Sequence, residues 1–448
     1  MNAAMHTIHD AQGMPADLRW FYRIVFRIVF LTGLLALPPT VFAASIPPLD
    51  ANAWNIVFVP SFEPNPSTNT LSVEGFNHAL RFGQLLDTAT AGKERQVRQI
   101  MAFTANAQPN DITPLQSIEP YAVLNNRAVS QTIVASGDIT QYNSPSYIIA
   151  GILAGQPQGD YVVSMPLAMI NDTIANLLGP GSGYNGITSR HQYVVLSLEQ
   201  GRKTTAVYTD GIAAETRMPS VDLQSAHAAA CPQKPTTFTV KRPTSSFFAL
   251  NTGQTVYMVR HVEAHPNNTF ENGNYVCQGA WRALGAGNAL ERMMGHPPKT
   301  LFTTNPNDII GCDGTCSYIR PTLTIAPYAV QHGMPLKLAG FQWNDPRSLA
   351  ASLFTRNTPY SDPAFDRSQT LVAWEHGNLV KAVQYLVADV YGAPDAAKKI
   401  PDWSFTDYDS VWTLQTDADG NLTFSNSCEH IDSDALPSTC PAFPGGVQ

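Results

Sequence analysis

Two basic side chains stand side by side where one β-rich segment of the chain ends. In residues 255–266 (TVYMVRHVEAHP), the β-formers of residues 256–259 run directly into Arg260 and His261. A strand ending in this pair presents both side chains at the carboxyl edge of a sheet, where open α/β folds keep their ligand crevices. An imidazole beside a permanent guanidinium can attack a phosphoryl group whose oxygens the guanidinium holds. The pair therefore predicts phosphoryl chemistry.

Two later segments supply further basic groups at element boundaries. Residues 317–330 (SYIRPTLTIAPYAV) place Arg320 at the start of a helical pattern. Residues 369–379 (QTLVAWEHGNL) contain a second strand, which runs into Glu375 and His376. We expect these groups to lie at the same sheet edge as the first pair.

These motifs resemble those of the histidine phosphatase superfamily, the phosphoglycerate mutase-like proteins. That family has a strand ending in Arg-His-Gly, a Ser-Pro-x-x-Arg-Ala-x-Gln-Thr-Ala-type segment, and a later strand ending in His-Gly. The resemblance implies that His261 is the nucleophile and becomes a phosphohistidine. It also implies a phosphate pocket lined by four further residues: Arg260, Asn267, Arg320 and His376.

The resemblance covers about residues 250–416 and includes both a further match and two departures. Gly279, in CQGAWRALG, matches the glycine of the family's helix-opening Leu-Thr-x-x-Gly motif. Val262 stands where the family has a glycine after the nucleophile. Residues 305–316 (NPNDIIGCDGTC) form an extra loop before Arg320.

The implied reaction is phosphoryl transfer in two steps, in which His261 takes the phosphoryl group and water then hydrolyses the phosphohistidine. No metal or other cofactor is expected, since the arginines supply the positive charge. A general acid must protonate the leaving oxygen, and three carboxylates are candidates. We favour Glu375, which adjoins His376, over Glu263 and Asp345. The expected partner is a small-molecule phosphomonoester, which the sequence does not identify.

Composition excludes other classes of function. The chain of 448 residues is 44% hydrophobic and 14% charged, which is typical of a well-buried globular protein, and its formal net charge is −8. Its lysines and arginines form no cluster interleaved with aromatic residues, so we expect no nucleic-acid partner. The length suits two α/β domains of about 200 residues each.

The chain also resembles itself. Three segments in the same order, with similar offsets, indicate a tandem duplication. One of the matched pairs is centred on Gly75 and Gly279. The first-half segments and their second-half counterparts are residues 55–66 and 255–266, residues 71–80 and 275–284, and residues 112–123 and 319–330.

The first copy lacks the residues that would handle phosphate. Without a nucleophile or cations it is predicted to be inactive, although its hydrophobic pattern persists and it should still fold and stabilise the second copy. At the positions of Arg260, His261, Arg320 and His376 it carries, in that order, Pro60, Ser61, Thr113 and Leu167.

Alternating strand and helix patterns predict an α/β fold of two units, with mostly parallel sheets covered on both faces. The resemblance implies that these units are two tandem three-layer α/β/α phosphoglycerate mutase-like domains. The first domain, residues 45–213, is the degenerate copy, and the second, residues 251–448, carries the pocket. Residues 214–250 form the predicted linker, in which residues 237–241 could add an edge strand. The predicted strands are residues 56–59, 161–164, 193–198, 256–259, 370–374 and 411–414, and the clearest helices are residues 75–86 and 377–390.

The first 44 residues predict a signal peptide for export to the periplasm or the medium. No stable membrane insertion is expected after cleavage. Met14 is an alternative start, and an uncleaved membrane anchor is the alternative interpretation. Three arginines, an apolar stretch and a small-residue cleavage site follow in order: Arg19, Arg23 and Arg27, residues 28–37, and residues 41–44 (VFAA).

All six cysteines lie in the second half of the chain, and an even number in an exported protein suggests disulfides. By proximity in the sequence we predict at least two, Cys312–Cys316 and Cys428–Cys440. A zinc site at Cys312 and Cys316 is the alternative, although no second Cys/His pair lies nearby at ligand spacing.

Two classes of function remain open. The first is an exported phosphatase; a mutase is less expected, because its intracellular sugar-phosphate substrates would be absent outside the cytoplasm. The second is a non-catalytic pseudophosphatase that binds phosphate ligands or acts as a scaffold, an interpretation that Val262 and the extra loop encourage. Retention of all four basic pocket residues favours the enzyme, because a drifting pseudoenzyme would be expected to lose at least one. The sequence does not predict the oligomeric state.

Overall fold

The computed structural model describes residues 49–50, 52–90, 97–219, 221–223, 228–245, 247–264, 272–312 and 316–441. The predicted signal peptide and Asn267 lie outside these ranges, so both stay predictions. None of the helices in the described ranges is long and apolar enough to cross a bilayer.

A six-stranded sheet occupies the first half of the chain. Its strands follow the order β3-β2-β4-β1-β5-β6, in which β3, β2, β4 and β1 are parallel and β5 and β6 are antiparallel. All but the first residue of β1 and of β4 are buried, as expected for central strands covered by helices on both faces. The elements are β1 (Trp54–Pro60), α1 (Val73–Thr90), β2 (Val97–Ala105), α2 (Thr113–Leu124), β3 (Val129–Val134), α3 (Pro145–Gly155), β4 (Gly159–Met165), α4 (Leu167–Leu178), β5 (Gln192–Glu199) and β6 (Arg202–Thr209).

A seven-stranded sheet occupies the second half, in the order β12-β9-β13-β8-β14-β15-β7. Its elements begin with β7 (Thr237–Val240), β8 (Thr255–Arg260), α5 (Cys277–Gly285), α6 (Gly287–Met294), β9 (Thr300–Thr303) and the small hairpin β10 (Ile309–Ile310) and β11 (Cys316–Ser317). They continue with α7 (Arg320–His332), β12 (Leu336–Leu338), α8 (Pro346–Phe354), β13 (Gln369–Trp374), α9 (His376–Tyr385) with a following π-helix (Leu386–Val390), α10 (Pro394–Ala397), β14 (Ser410–Thr416) and β15 (Leu422–Cys428).

The mixed α/β class with mostly parallel strands is confirmed. Every predicted strand and both predicted helices fall within the observed elements, and the suggested edge strand is present as β7, which pairs with β15. The described residues form one compact unit. The two-domain tandem arrangement and its boundaries stay predictions.

The two sheets nevertheless have the same strand order. Leaving out β7, the second sheet reads β12-β9-β13-β8-β14-β15, which repeats the first sheet strand for strand. The matched glycines Gly75 and Gly279 also have the same structural role, since each lies against the backbone that follows the first strand of its sheet. A Cβ atom on Gly75 would lie 2.2 Å from the carbonyl oxygen of Glu63, and one on Gly279 would lie 2.4 Å from that of Glu263. Each helix can therefore approach the segment after the first strand only if this residue has no side chain.

The halves share one hydrophobic core. A single buried cluster includes Leu80 and Tyr121 from the first half and Tyr275 and Leu290 from the second. Polar contacts cross as well: the Asn69 side chain donates to the carbonyl of Leu336 at 2.9 Å and accepts from its N–H at 2.9 Å. Removing one half would therefore expose apolar surface on the other.

A fragment that starts at residue 228 tests this shared core. It keeps Cys231 and the second sheet, and we expect it to aggregate or to unfold roughly 10 °C below the whole chain, as a loss of several kcal/mol implies. Thermal unfolding of both proteins under identical conditions measures the difference. A fragment as heat-resistant and as soluble as the whole chain would show that the first half does not stabilise the second.

All six cysteines form disulfides, which confirms the prediction of at least two disulfide bonds. Cys312–Cys316 is one of them, as predicted. The predicted Cys428–Cys440 bond is wrong, because Cys428 bonds to Cys231 and Cys440 bonds to Cys277. Closeness in the sequence did not predict the partners, because the chain fold brings other segments together. The segment near Ala228 pairs with Ile431 beside the end of β15, which places Cys231 near Cys428. The carbonyl of Thr439 accepts from the Trp281 indole on α5, which places Cys440 near Cys277.

Candidate active site

Four of the predicted pocket residues lie near one another at the carboxyl edge of the second sheet: Arg260, His261, Arg320 and His376. Arg260 ends β8, opposite Trp374 at the end of the neighbouring parallel strand β13. The N–H of His261 donates to the carbonyl of Trp374 at 2.9 Å, which brings the residues after both strands together. Arg320 is the first residue of α7, and its N–H donates to the carbonyl of Gly273 at 3.0 Å.

His261 is held in one tautomer. Its side chain is 2% exposed, and Nδ1 lies 2.8 Å from the carbonyl oxygen of Val262. A carbonyl can only accept, so Nδ1 carries the proton and Nε2 keeps its lone pair. Burial, reinforced by the charges of Arg320 and Arg260, lowers the pKa of His261 well below 6.5. The ring is therefore neutral and nucleophilic at ordinary pH.

Val262, which directly follows His261, is fixed to the helix that carries Arg320. Its N–H donates to the Thr324 hydroxyl at 3.0 Å, and that hydroxyl donates to the Arg320 carbonyl at 2.8 Å. The first half repeats this arrangement with other side chains. There the N–H of Phe62 donates to Ser117 Oγ at 2.9 Å, and Ser117 Oγ donates to the Thr113 carbonyl at 2.7 Å.

The guanidinium of Arg260 is oriented by the loop before β14. It is 3% exposed and stacks 4.0 Å from the ring centroid of Tyr408 and 5.3 Å from that of Phe405. Nη1 donates to the carbonyl of Phe405 and, at 3.3 Å, to that of Asp407. Nε has no hydrogen-bond partner within the described part of the chain. Buried donors are nearly always paired, so this one suits a ligand oxygen.

A tyrosine lies close to both His261 and Arg320. Tyr318 is fully buried, its ring centroid lies 6.4 Å from that of His261, and the Arg320 guanidinium lies 4.9 Å from it. Tyr318 and Tyr408, whose rings lie close to His261 and the arginines, are candidate site residues that the sequence did not single out. A tyrosine two residues before a helix-starting arginine is a signal too common to single them out.

The carboxylate of Glu375 serves as the N-cap of α9. It lies 2.7 Å from Nδ1 of His376 and accepts from the N–H groups of Gly377 at 2.8 Å and Asn378 at 2.7 Å. Burial alone would raise its pKa, but the His376 contact and the two backbone donors outweigh burial and lower the pKa of Glu375 to about 2. A carboxylate that stays ionised is a poor proton donor, so this geometry disfavours the role predicted for it.

The other two candidate acids are also occupied. Glu263 accepts from Nε of Arg282 at 2.8 Å and from Ser433 Oγ at 2.7 Å. Asp345 caps α8, accepting from the N–H of Ser348 at 3.0 Å and from its hydroxyl at 2.6 Å. Both carboxylates hold secondary structure in place.

Asp308, in the extra loop, is an acid that the sequence reasoning missed. It is 7% exposed, and burial raises its pKa to about 6, against the opposing hydrogen bond from the Trp343 N–H at 2.8 Å. Its own carbonyl accepts from the N–H of Tyr318 at 2.7 Å, which joins it to the tyrosine that lies close to His261 and Arg320. The insertion before Arg320 was visible in the sequence, but the burial of this one carboxyl was not.

A buried ionic cluster in the second half includes Glu263, two residues after His261. Arg282, which is 1% exposed, contacts Glu263 at 2.8 Å, Glu429 at 2.7 Å and Asp409 at 3.3 Å. It also donates to the carbonyl of Ile431 at 3.0 Å. The cluster ties α5 to the end of β8 and to the start of β14 and the end of β15.

A similar cluster in the first half is centred on a histidine. Nδ1 of His78 lies 3.0 Å from Glu63, Nε2 lies 2.8 Å from Asp210, and Nδ1 of His191 lies 3.1 Å from Asp210. His78 lies three residues after Gly75, as Arg282 lies three residues after Gly279.

Glu63, His78 and His191 could also be considered as metal ligands, since their donor atoms lie within 4.8 Å of one another. The ring geometry fits an ion-pair cluster better. The His78 and His191 rings stack with an interplanar angle of 23° and a centroid distance of 4.6 Å, and both nitrogens of His78 already contact carboxylates. A second group, Cys231, Cys428 and His430, has its two sulfurs in a disulfide.

Comparisons with known proteins find a solved structure of low similarity to this chain. A solved structure of SixA from Agrobacterium tumefaciens, named as a phosphohistidine phosphatase, is similar at 15% identity over 37% of this chain and 93% of that chain, with a TM-score of 0.24. No protein-family model matches the chain, and no curated protein matches it either.

Proposed function

We propose that the chain is a phosphatase that hydrolyses a phosphomonoester through a phosphohistidine on His261. The observation that carries the proposal is the state of this ring: neutral, buried, bonded through Nδ1, and within the fields of Arg260 and Arg320. A neutral imidazole whose Nε2 keeps its lone pair, close to the charges of two guanidinium groups, is equipped to attack phosphorus.

In the first step, Nε2 of His261 forms a bond to phosphorus while the bond to the leaving oxygen breaks. Arg260, Arg320 and His376 stabilise the equatorial oxygens, and the leaving oxygen takes a proton. In the second step, water attacks phosphorus, the P–N bond breaks and the imidazole is restored with release of inorganic phosphate. Asn267 is a further proposed phosphate contact. The arginines supply the charge that a metal would otherwise supply.

We propose Asp308 as the proton donor in place of Glu375. Its pKa near 6 keeps a large protonated fraction at mildly acidic pH, whereas Glu375 is ionised throughout that range. Glu375 becomes a positioning residue, which fixes His376 and the start of α9.

Asp308→Asn should slow hydrolysis of an alkyl phosphomonoester by about 10²-fold, the usual contribution of a general acid. p-Nitrophenyl phosphate should slow much less, because its leaving group needs no proton. The protonated acid is lost as pH rises through about 6, so the alkyl reaction should decline above that pH in the wild type and not in the variant. Steady-state kcat/KM for both esters checks this, with the exposed Asp395→Asn as control. Equal slowing of the two esters would exclude the role.

The rival function is a pseudophosphatase that binds phosphate ligands without turning them over. Val262 and the extra loop motivate it. Purified protein incubated with a panel of phosphomonoesters and EDTA separates the two: metal-independent phosphate release supports the enzyme, whereas saturable phosphate binding without release supports the rival.

We further propose that the chain is a tandem duplication, exported through its N-terminal segment. The shared strand order, the matched glycines and the repeated hydrogen bonds after the first strand of each sheet support the duplication. The three disulfides are consistent with an oxidising compartment.

A further inference from the structure

The first half retains an open cleft at the sheet edge where the second half has its pocket. The cleft has a volume of about 490 Å³. Ser61 lies directly after β1, Thr113 begins α2, and Pro166 follows β4, so the lining comes from the carboxyl ends of parallel strands. Open α/β sheets bind ligands at such a place, and the volume is in the range of small-molecule sites.

The cleft contains a cation, Arg190, that has no counterpart among the four predicted pocket positions of the second half. Arg190 stands two residues before β5, as Tyr408 stands two residues before β14. Its Nε donates to the carbonyl oxygen of Ser61 at 3.0 Å, which fixes the guanidinium over the residue that corresponds to His261. Its Nη groups make no hydrogen bond to another described residue. One edge of the guanidinium is thus anchored, and the other is available to a ligand.

Three further polar side chains of the cleft are neutral and make no hydrogen bond to another described residue. The Ser61 hydroxyl is on a residue that is only 5% exposed, yet it bonds to no other described residue. The carboxamides of Gln108 and Asn110 lie exposed on the wall. The carboxylate of Asp111 accepts from the N–H of Thr113 at 2.9 Å and is directed to the start of α2.

We propose that this cleft binds, without chemical change, a hydroxycarboxylate of about the size of a sugar acid. Arg190 holds the carboxylate, and Ser61, Gln108 and Asn110 bond the hydroxyl groups. A single guanidinium suits a monoanion, whereas a phosphomonoester dianion meets two arginines and a histidine in the other half. Rigid walls limit the entropy lost on binding. They are formed by Pro64, Pro66, Pro109 and Pro166.

Calorimetric titration of the whole chain with D-glucuronate tests the proposal, with D-glucose and inorganic phosphate as comparison probes. Glucuronate should bind saturably and at least tenfold more tightly than glucose. Arg190→Gln should weaken it at least tenfold, and Arg190→Lys should weaken it less, because the charge is kept but the fork is lost. Gln108→Ala, at an exposed position that should not affect folding, should weaken it several-fold.

Two further variants assign the probe to one half. His261→Ala and Arg320→Gln should leave glucuronate binding unchanged, since both lie in the other pocket. The proposal thus stands or fails independently of the phosphatase activity. It is overturned if glucuronate shows no saturable binding, if Arg190→Gln binds it as tightly as the wild type, or if Arg320→Gln abolishes binding.

Discussion

Replacing His261 with alanine is expected to lower kcat for phosphomonoesters by about 10⁴-fold or more, the scale on which a covalent nucleophile contributes. The ring is fixed by its 2.8 Å contact with the Val262 carbonyl, and its free nitrogen is the atom that would bond to phosphorus. Rapid quenching with labelled substrate should trap an acid-labile phosphoenzyme in the wild type and none in the variant.

The matched control is His296→Ala. This histidine is exposed and contacts only the neighbouring Pro297 carbonyl among the bonds described, so its removal should leave kcat unchanged. Thermal unfolding of both variants shows whether the fold survives. A labelled phosphoenzyme in the His261→Ala protein, or undiminished turnover, would assign the nucleophile elsewhere.

The expected pH dependence of kcat/KM follows from the protonation state of the His261 ring. The nucleophile must be unprotonated, and burial together with Arg320 and Arg260 lowers the pKa of His261 well below 6.5. The unprotonated form therefore persists as pH falls through 6.5, and the acid limb of kcat/KM should lie below that value. Arg320→Gln removes one lowering charge and should move the limb to higher pH.

The central strands were predictable because their physics is local. β1 is buried on both faces and β8 on most of its length, and each has the pattern of a short apolar run bounded by turns. β2 and β3 were missed because Arg98, Gln99 and Gln131 interrupt the apolar pattern. β9 and β12, with four and three residues, are too short to show a period. Neighbouring strands rather than propensity create such elements.

The candidate site also contains some residues whose positions could be inferred from the sequence and others whose positions could not. Arg260 and His261 follow a readable strand, so their place at a sheet edge could be inferred from topology. The capping role of Glu375 could not, because it depends on the backbone direction after β13 and glutamate is not a usual N-cap residue. Arg190 could not be inferred from the internal repeat, because its position is not one of the four at which the second half carries a predicted phosphate-binding residue.

Arg282→Met should lower the free energy of unfolding by about 3–5 kcal/mol, the cost of leaving buried charges without their partner. The guanidinium is 1% exposed, and its removal leaves Glu263, Asp409 and Glu429 facing one another. Urea unfolding measures the loss. Lys398→Ala, which removes an exposed ion pair with Asp395, is the control and should cost less than about 0.5 kcal/mol. A similar small effect for Arg282→Met would mean that the cluster relaxes or hydrates without penalty.

The histidine-centred cluster should respond to pH in the opposite direction. Burial disfavours the charged His78 ring, but hydrogen bonds to Asp210 and Glu63 outweigh burial and raise its pKa above 6.5. The imidazolium therefore stabilises the fold fully below pH 6.5, and that contribution is lost as pH rises through the raised value. His78→Asn should cost more at pH 5 than at pH 8. The cost of Arg282→Met should instead be at least as large at pH 8, because more of the abandoned carboxylates are then ionised. Urea unfolding of both variants and of the wild type at the two pH values measures these losses in the free energy of unfolding. If the losses in the two variants changed with pH in the same direction, the assignment of His78 as a protonated cation would be contradicted.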